Sequence, residues 1–363
     1  MLHYWKRLQG VVPLKTVAAI CLFIFTGIVT AFVFGFDLNE SQDSLQYDDE
    51  QEGIEDKVVI KFSHVVAENT PKGRAVRQFA SLVHERTDGE IKVEIYPNGT
   101  LYNDQNEYDA LINGHIQMIA PATSKLTERF PKWQVLDLPF AFPTYQAVEE
   151  AYEGTIGQTL IDQLGPKVKG ITFWYNGYKQ VTSSEEPMIL PSDFNQTHLR
   201  IMPSPVIESQ FHALGASTSQ MPFNKTYSNL EVDFINGQEN TLSNIYSKNL
   251  YKEQDYLTIS NHGYLGYAVL MNDEFWSELS NEHQAIISQS IEETTDWIKR
   301  HSIEINDAHL RQIKRDDSLE VYYLTKEQRA LWKEAVQPVY QVTEPIAGEL
   351  LMEEVYRLQE KYQ

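Results

Sequence analysis

The stretch that decides the fold is VVIKFSHVVAENTPKGRAVRQFASLVHERTDGEIKVEIYPNG, residues 58–99. Residues 58–65 alternate apolar and polar side chains and are rich in β-branched residues, which predicts a strand. The segment after it predicts a helix with Thr70 as N-cap and Pro71 as first residue. Alternation returns at residue 91, so the unit predicts two parallel strands joined by a right-handed crossover helix.

The same order of elements recurs along the chain. A helical pattern near residues 145–164 precedes a strand pattern at 170–182, and the strand HLRIMP, 198–203, precedes a helix capped by Ser204. This alternation indicates an α/β fold. Residues 279–324 contain no Gly or Pro and carry a helical apolar stripe. A chain of 363 residues is expected to form two lobes, because a typical single domain has ~150 residues. Residues 279–324 predict one helix of about 30 residues, ~45 Å long, that spans both lobes. The alternative is two helices joined by a bend.

The N-terminal region has a different character. Residues 16–36 form 21 positions without a charge after Lys6, Arg7 and Lys15, which is long enough to cross ~30 Å of hydrocarbon. We expect residues 1–36 to be a signal anchor, with a cleaved signal peptide as the alternative. Residues 37–56 contain nine acids and no base, which predicts a solvated linker. The body is then expected at the extracytoplasmic face of the cell membrane, or secreted if the segment is cut.

Composition excludes several functions. The formal charge of −21, from 51 acidic and 30 basic residues, disfavours nucleic acid as a partner. The single cysteine allows no internal disulfide. The sequence has no nucleophile-elbow, phosphate-loop, zincin or dinucleotide-binding motif, and its histidines lack metal-ligand spacing. We therefore predict a protein that is not an enzyme and that uses no cofactor or metal.

Two places suit an organic anion. His64 ends the first strand, and Lys72 lies in the first turn of the next helix, where a cation opposes the helix dipole unless an anion is bound. Alternatively, Lys72 is an ordinary solvated lysine. Arg200 interrupts the apolar strand of LRIMPSP, residues 199–205, and a buried guanidinium needs an anionic partner. That partner is either an internal acid or a ligand. Lys125 and Lys179 lie in similar apolar surroundings.

Several longer motifs carry a family resemblance across residues 58–340: FSHVVAENTPKG, IYPNGTLY, VLDLPFAF, LRIMPS, GQEN and NHGYLGYAVL. With these motifs in order, the chain resembles the extracytoplasmic solute-binding proteins of TRAP transporters, in the DctP-type branch that binds C4-dicarboxylates. The resemblance implies a two-lobed fold like that of periplasmic binding proteins, with a ligand cleft between the lobes. Residues 57–176 and 266–308 would form the first lobe, and 177–265 and 309–363 the second.

The resemblance also implies roles for single residues. Arg200 would bind a substrate carboxylate, with Asn240 of the GQEN motif beside it. Lys125, Lys72 and His64 would serve the other end of a diacid. Lys179, also expected in the site, stands where the family often has Arg. The implied function is capture of succinate, fumarate or malate for uptake by a membrane permease. Signalling to a membrane sensor kinase or carrier is the alternative, and a different organic acid is a weaker one.

Overall fold

The computed structural model describes residues 18–19, 22–26, 57–316 and 318–363. Residues 1–56 and 57–363 form separate units, and residues 57–363 contain all the strands described below. Residues 18–19 and 22–26 are helical. The remainder of the predicted anchor and the whole predicted linker, 37–56, lie outside the described residues. No helix within the described residues is long and apolar enough to cross a membrane.

One mixed sheet organises the larger unit. Among the described residues its strands are β1 (Val58–Ser63), β2 (Ile91–Tyr96), β3 (Met118–Ile119), β4 (Val168–Ser183), β5 (His198–Ile201), β6 (Ser217–Gln220), β7 (Gly237–Thr241), β8 (Tyr256–Ile259), β9 (Tyr264–Asn272) and β10 (Glu320–Tyr323). β1 and β2 pair in parallel, as the opening sequence predicts. The strand order is β2-β1-β3-β9-β4-β7-β5-β6, and β8 joins β10 to β4.

Strand β4 belongs to both halves of this sheet. Its residues 168–178 pair with β9, next to β3, β1 and β2. Its residues 179–183 pair with β7 and β8, next to β5, β6 and β10. We call these the first half and the second half of the sheet. β4 therefore joins the two halves through continuous backbone.

Helices cover both halves. The described α-helices are α1 (Pro71–Arg86), α2 (Glu107–Ile112), α3 (Tyr145–Glu153), α4 (Thr155–Ile161), α5 (Pro205–Leu214), α6 (Thr226–Glu231), α7 (Leu242–Ser247), α8 (Asp273–Glu278), α9 (Asn281–Ile313), α10 (Lys326–Ala335), α11 (Gln337–Ala347) and α12 (Glu349–Tyr362). Short 3-10 helices lie at Thr123–Leu126, Pro131–Asp137, Pro191–Phe194, Phe223–Lys225 and Leu250–Glu253.

The long helix predicted from the absence of Gly and Pro is confirmed. α9 is continuous over 33 residues, so the alternative of two helices joined by a bend is wrong. It packs against α1 of the first half, against the shared strand β4, and against α7 of the second half. The helix thus contacts both halves of the sheet.

Local sequence explains where the helices begin and end. Thr70 caps α1 by accepting a hydrogen bond from the Gly73 amide at 3.1 Å, and Ser204 is the N-cap of α5. The helical pattern at 145–164 forms two helices, α3 and α4, separated at Gly154. A Cβ at Gly154 would lie 2.5 Å from the Glu150 carbonyl oxygen, so only glycine allows this close backbone approach.

Two apolar cores are found among the described residues of the larger unit. The main core includes Phe62, Trp133 and Trp174, each fully buried, and extends to Leu199 and Ile201 on β5 of the second half. A smaller core in the second half includes Ile245 and Leu257. The C-terminal helices bridge the halves, because α12 packs on α3 and α4 while α11 packs on α5. The lobe limits given above remain a prediction.

Candidate ligand-binding site

A cavity lies where the two halves of the sheet meet. Four of the six predicted site residues line it: Lys72, Lys125, Arg200 and Asn240. The other lining residues are Val65, Val66, Asp104, Glu107, Ala122, Met202, Phe223, Asn244, Leu265 and Tyr267. They come from distant parts of the chain, and the cavity combines apolar walls with a cluster of charged groups. This is the composition expected of a small-molecule site.

Arg200 is fully buried on β5. Its Nε and Nη2 atoms donate to the Met221 carbonyl oxygen at 3.2 and 2.9 Å. Its Nη1 atom has no hydrogen-bond partner within the described chain. No ion pair joins Arg200 to a carboxylate there, so the internal acid considered from the sequence is not found among the described residues. One edge of the guanidinium remains available for an anion.

Lys125 belongs to the short helix Thr123–Leu126 and forms a buried ion pair with Asp104, with 2.8 Å between Nζ and Oδ2. Burial lowers the pKa of Lys125, and the Asp104 carboxylate opposes that change. The same Oδ2 atom accepts a hydrogen bond from the Phe223 amide at 3.1 Å. Asp104 therefore connects the first half to residue 223 of the second half, beside the cavity.

Lys72 and Glu107 form the other charged part of the lining. The Lys72 ammonium donates to the Ala120 carbonyl oxygen at 2.7 Å and lies 4.0 Å from the centroid of the Tyr267 ring. Burial lowers the pKa of Lys72, and Glu107 and Asp104 oppose the change. Burial raises the pKa of Glu107, whose two carboxyl oxygens have no hydrogen-bond partner within the described chain.

Asn240 lies on β7, in the GQEN motif. Its side-chain oxygen accepts hydrogen bonds from the Asn244 amide at 2.8 Å and from the Thr241 backbone at 3.0 Å. These contacts fix the orientation of the side chain, with the oxygen engaged by protein donors. The amide nitrogen is then the group that can donate to a ligand.

The structure does not bring Lys179 or His64 into the lining of this cavity. The Lys179 ammonium is buried and lies 3.0 Å from Glu239 Oε2. Glu239 precedes Asn240 on β7, and successive side chains of a strand point to opposite faces. His64 is fully buried; burial, reinforced by Lys72, lowers its pKa to about 3, so its ring is neutral.

The lining residues that reasoning from the sequence missed include both acids, Asp104 and Glu107, and Tyr267. The two acids carry no signal of their own in a chain with 51 acidic residues. Tyr267 lies on β9, where all nine residues are buried, so alternation does not distinguish the side that faces the cavity. The assembled lining has three basic side chains and two acids, an arrangement suited to binding an organic anion.

Comparisons with known proteins agree with this description. The family described as "Bacterial extracellular solute-binding protein, family 7" matches residues 62–345. The C4-dicarboxylate-binding protein DctB of Bacillus subtilis (strain 168) is 45% identical over 346 residues, covering 95% of this chain and 99% of that protein.

Solved structures show the same fold. A TRAP periplasmic solute binding protein from Sulfurospirillum deleyianum, with bound succinate, has a TM-score of 0.81 and 35% identity, covering 83% of this chain and 99% of that one. A TRAP periplasmic solute binding protein from Pseudomonas aeruginosa, with bound L-malate, has a TM-score of 0.76 and 31% identity, covering 78% of this chain and 99% of that one. The α/β binding-protein fold predicted from the sequence is confirmed.

Proposed function

Because the chain belongs to bacterial extracellular solute-binding protein family 7, we propose that it captures a C4-dicarboxylate in this cavity and delivers it to a TRAP-type membrane permease. The family consists of binding proteins rather than enzymes, as the sequence predicts. Support for the ligand class comes from the Bacillus subtilis relative, a C4-dicarboxylate-binding protein by name, and from the neighbours solved with succinate and L-malate.

The observation that carries this proposal is the unpaired edge of Arg200. A guanidinium presents parallel N–H groups that match the two oxygens of a carboxylate. Burying such a group without an anion is costly, and the described chain supplies none to Nη1. A ligand carboxylate at this edge would accept hydrogen bonds from the unpaired guanidinium N–H groups, with the Asn240 amide as a neighbouring donor. Lys72 and Lys125 would balance a second carboxylate.

The N-terminal segment has a place in this proposal. Residues 16–36 would hold the binding unit at the extracytoplasmic face, which keeps it at a high effective concentration near the permease. The match to the Bacillus subtilis relative covers 95% of the chain and so includes most of the residues before Lys57.

The sensor-kinase alternative gains no support from the relatives described above.

Calorimetry on the full-length chain tests the proposed ligand. Succinate, fumarate and L-malate are titrated beside butyrate, which has four carbons but only one carboxylate. We expect at least one diacid to bind with a Kd near micromolar, which corresponds to a binding free energy of about −8 kcal/mol. Butyrate should bind far more weakly. Tight binding of an aldonic or keto acid, with no binding of the diacids, would contradict the proposal.

The Arg200→Lys variant tests the role of the guanidinium within the same experiment. Lysine keeps the charge but loses the planar pair of donors, so tight diacid binding should be lost. Arg129→Lys is the matched control, because Arg129 is an exposed arginine paired with Asp109. Near-normal affinity in Arg200→Lys would remove Arg200 from the site.

A further inference from the structure

Glu107 is a buried carboxyl group whose role the sequence did not reveal. It is the first residue of α2, it lines the same cavity as Arg200, and its exposed fraction is 2%. Neither of its carboxyl oxygens has a hydrogen-bond partner in residues 57–316 or 318–363. Buried polar atoms are nearly always paired, so both oxygens point to a partner supplied from the cavity.

The two lysines around Glu107 are engaged by other partners. Lys125 forms its ion pair with Asp104 at 2.8 Å, and the Lys72 ammonium donates to the Ala120 carbonyl oxygen at 2.7 Å. Within the described residues, no ammonium or guanidinium nitrogen lies within 4.0 Å of the Glu107 carboxyl. An ionised Glu107 would thus be a buried carboxylate without an ion-pair partner, and it would face the carboxylates of the ligand.

The groups that face Glu107 come from every element around it. Lys72 projects from α1, Lys125 from Thr123–Leu126, Arg200 from β5 and Asp104 from the loop before α2. Burial raises the pKa of Glu107; Lys72 and, more weakly, Lys125 oppose that change, and Asp104 reinforces it. The surroundings therefore favour the protonated acid.

We infer that Glu107 carries a proton in the diacid complex and donates a hydrogen bond from its hydroxyl to a ligand carboxylate oxygen. The inference rests on the proposed function. With Glu107 neutral, three basic side chains and the Asp104 carboxylate leave two positive charges in the lining, which match a dianionic ligand. Glu107 would then be a residue that selects dianions by remaining uncharged.

The Glu107→Gln variant of the full-length chain tests the proton, because an amide keeps the shape and a donor group without titrating. We expect succinate to bind Glu107→Gln within about threefold of wild type at pH 7 by calorimetry. Glu128→Gln, which changes an exposed glutamate, is the control. A loss of affinity of tenfold or more in Glu107→Gln alone would overturn the inference, since it would show that a carboxylate is needed.

Infrared spectroscopy of the succinate-loaded full-length protein gives a second measurement. The carbonyl band of a protonated carboxylic acid should be present in wild type and in Glu128→Gln, and reduced in Glu107→Gln. Asp137 is another fully buried acid whose pKa is raised by burial. Any contribution of Asp137 to the carbonyl band is identified separately from the spectrum of Asp137→Asn. An unchanged carboxylic acid band in Glu107→Gln would overturn the inference while leaving diacid binding intact. A wild-type chain that binds no diacid would contradict both proposals.

Discussion

Each face of the sheet buries a basic side chain, but the two side chains differ in whether a protein carboxylate pairs with them. On β4, the Lys179 ammonium lies 3.0 Å from Glu239 Oε2, and His262 Nε2 lies 3.7 Å from the same oxygen. On β5, Arg200 donates hydrogen bonds to the Met221 carbonyl oxygen, and its Nη1 atom has no hydrogen-bond partner within the described chain. Lys179 is neutralised by an acid outside the cavity lining and has a structural role, whereas the unpaired edge of Arg200 marks the ligand side.

Strand alternation separates the two faces. Glu239 and Asn240 are neighbours on β7, so one side chain points away from the cavity and the other toward it. Arg200 pairs in register with Gln238, which is two residues from Asn240 and so lies on the same face. One short strand thus supplies both the internal acid for Lys179 and the polar group beside Arg200.

The largest expected effect is on ligand binding by Arg200→Met. Two hydrogen bonds to a charged group are worth about 1.5–3 kcal/mol each, so succinate affinity should fall by roughly two to four orders of magnitude. Calorimetry measures the loss. The same variant should be no less stable than wild type without ligand, because it removes an unpaired buried cation. A marked loss of stability in urea would indicate that Arg200 has an internal structural role.

Lys179→Met should instead lower stability and leave succinate affinity nearly unchanged. Burial alone would raise the pKa of Glu239, but Lys179 and His262 hold it below the ordinary value. Removing Lys179 leaves a buried carboxylate without its main partner, which costs about 3–5 kcal/mol in the free energy of unfolding. Urea denaturation measures this change. Lys169→Met, in the half-buried part of the same strand, should change stability by less than about 1 kcal/mol.

The double variant Lys179→Met with Glu239→Gln sharpens this test. It removes both charges, so much of the stability lost in the single variant should return. Succinate affinity of the folded protein should stay within about threefold of wild type in both variants. A large loss of affinity in the double variant would place Lys179 and Glu239 in the binding site after all.

His64 should affect the dependence of stability on pH, with little effect on binding. Its pKa is lowered to about 3 by burial, with Lys72 adding to the shift, against 6.5 for an unperturbed histidine. The unfolded chain therefore binds a proton that the folded chain excludes between these pH values, so stability falls as pH decreases from about 6.5 toward 3. In His64→Gln this fall should be smaller by about 4–5 kcal/mol, because each unit of pKa difference corresponds to about 1.4 kcal/mol.

Urea denaturation at several pH values provides the measurement for His64, with the exposed His115→Gln as control. The control should keep the wild-type pH dependence. Succinate affinity at pH 7 should stay within about threefold of wild type in His64→Gln. A strong loss of affinity there would show that His64 contributes to the site predicted from its position after β1.

Asn240→Ala is expected to have the smallest effect. The substitution removes one donor from the cavity and leaves the Asn244 amide without its acceptor. The loss of about 1.5 kcal/mol should weaken succinate binding by roughly tenfold. Asn229→Ala is a control, since Asn229 is a half-buried residue outside the cavity lining whose side-chain amide donates to the Lys225 carbonyl oxygen. Equal affinities for the two variants would exclude a direct contact from Asn240.

Local sequence was sufficient to predict the parallel β1–β2 pair, the caps at Thr70 and Ser204, and the continuous helix α9. Each depends on neighbours in the chain: alternation, a capping side chain, or an uninterrupted run without Gly or Pro. The separation of α3 from α4 was not predicted, because it depends on how closely the backbone approaches Gly154.

The site residues also separate into those that local sequence reveals and those that depend on tertiary contacts. Arg200 stood out because a charge interrupts an apolar strand, but the sequence could not show that Lys179, a similar interruption, has an internal partner. β4 contains register shifts between Gly170 and Thr172 and between Tyr175 and Gly177, so alternation does not fix which side Lys179 faces. Glu107 was missed because its burial depends on the assembly of distant elements.

A crystal structure of the succinate complex tests the central claim most directly. We predict that one succinate carboxylate contacts Arg200 through two parallel N–H donors, including the Nη1 atom that has no partner in the described chain. Glu239 should remain paired with Lys179 on the other face. Succinate bound away from Arg200, or Arg200 paired with a protein carboxylate in that complex, would contradict the account.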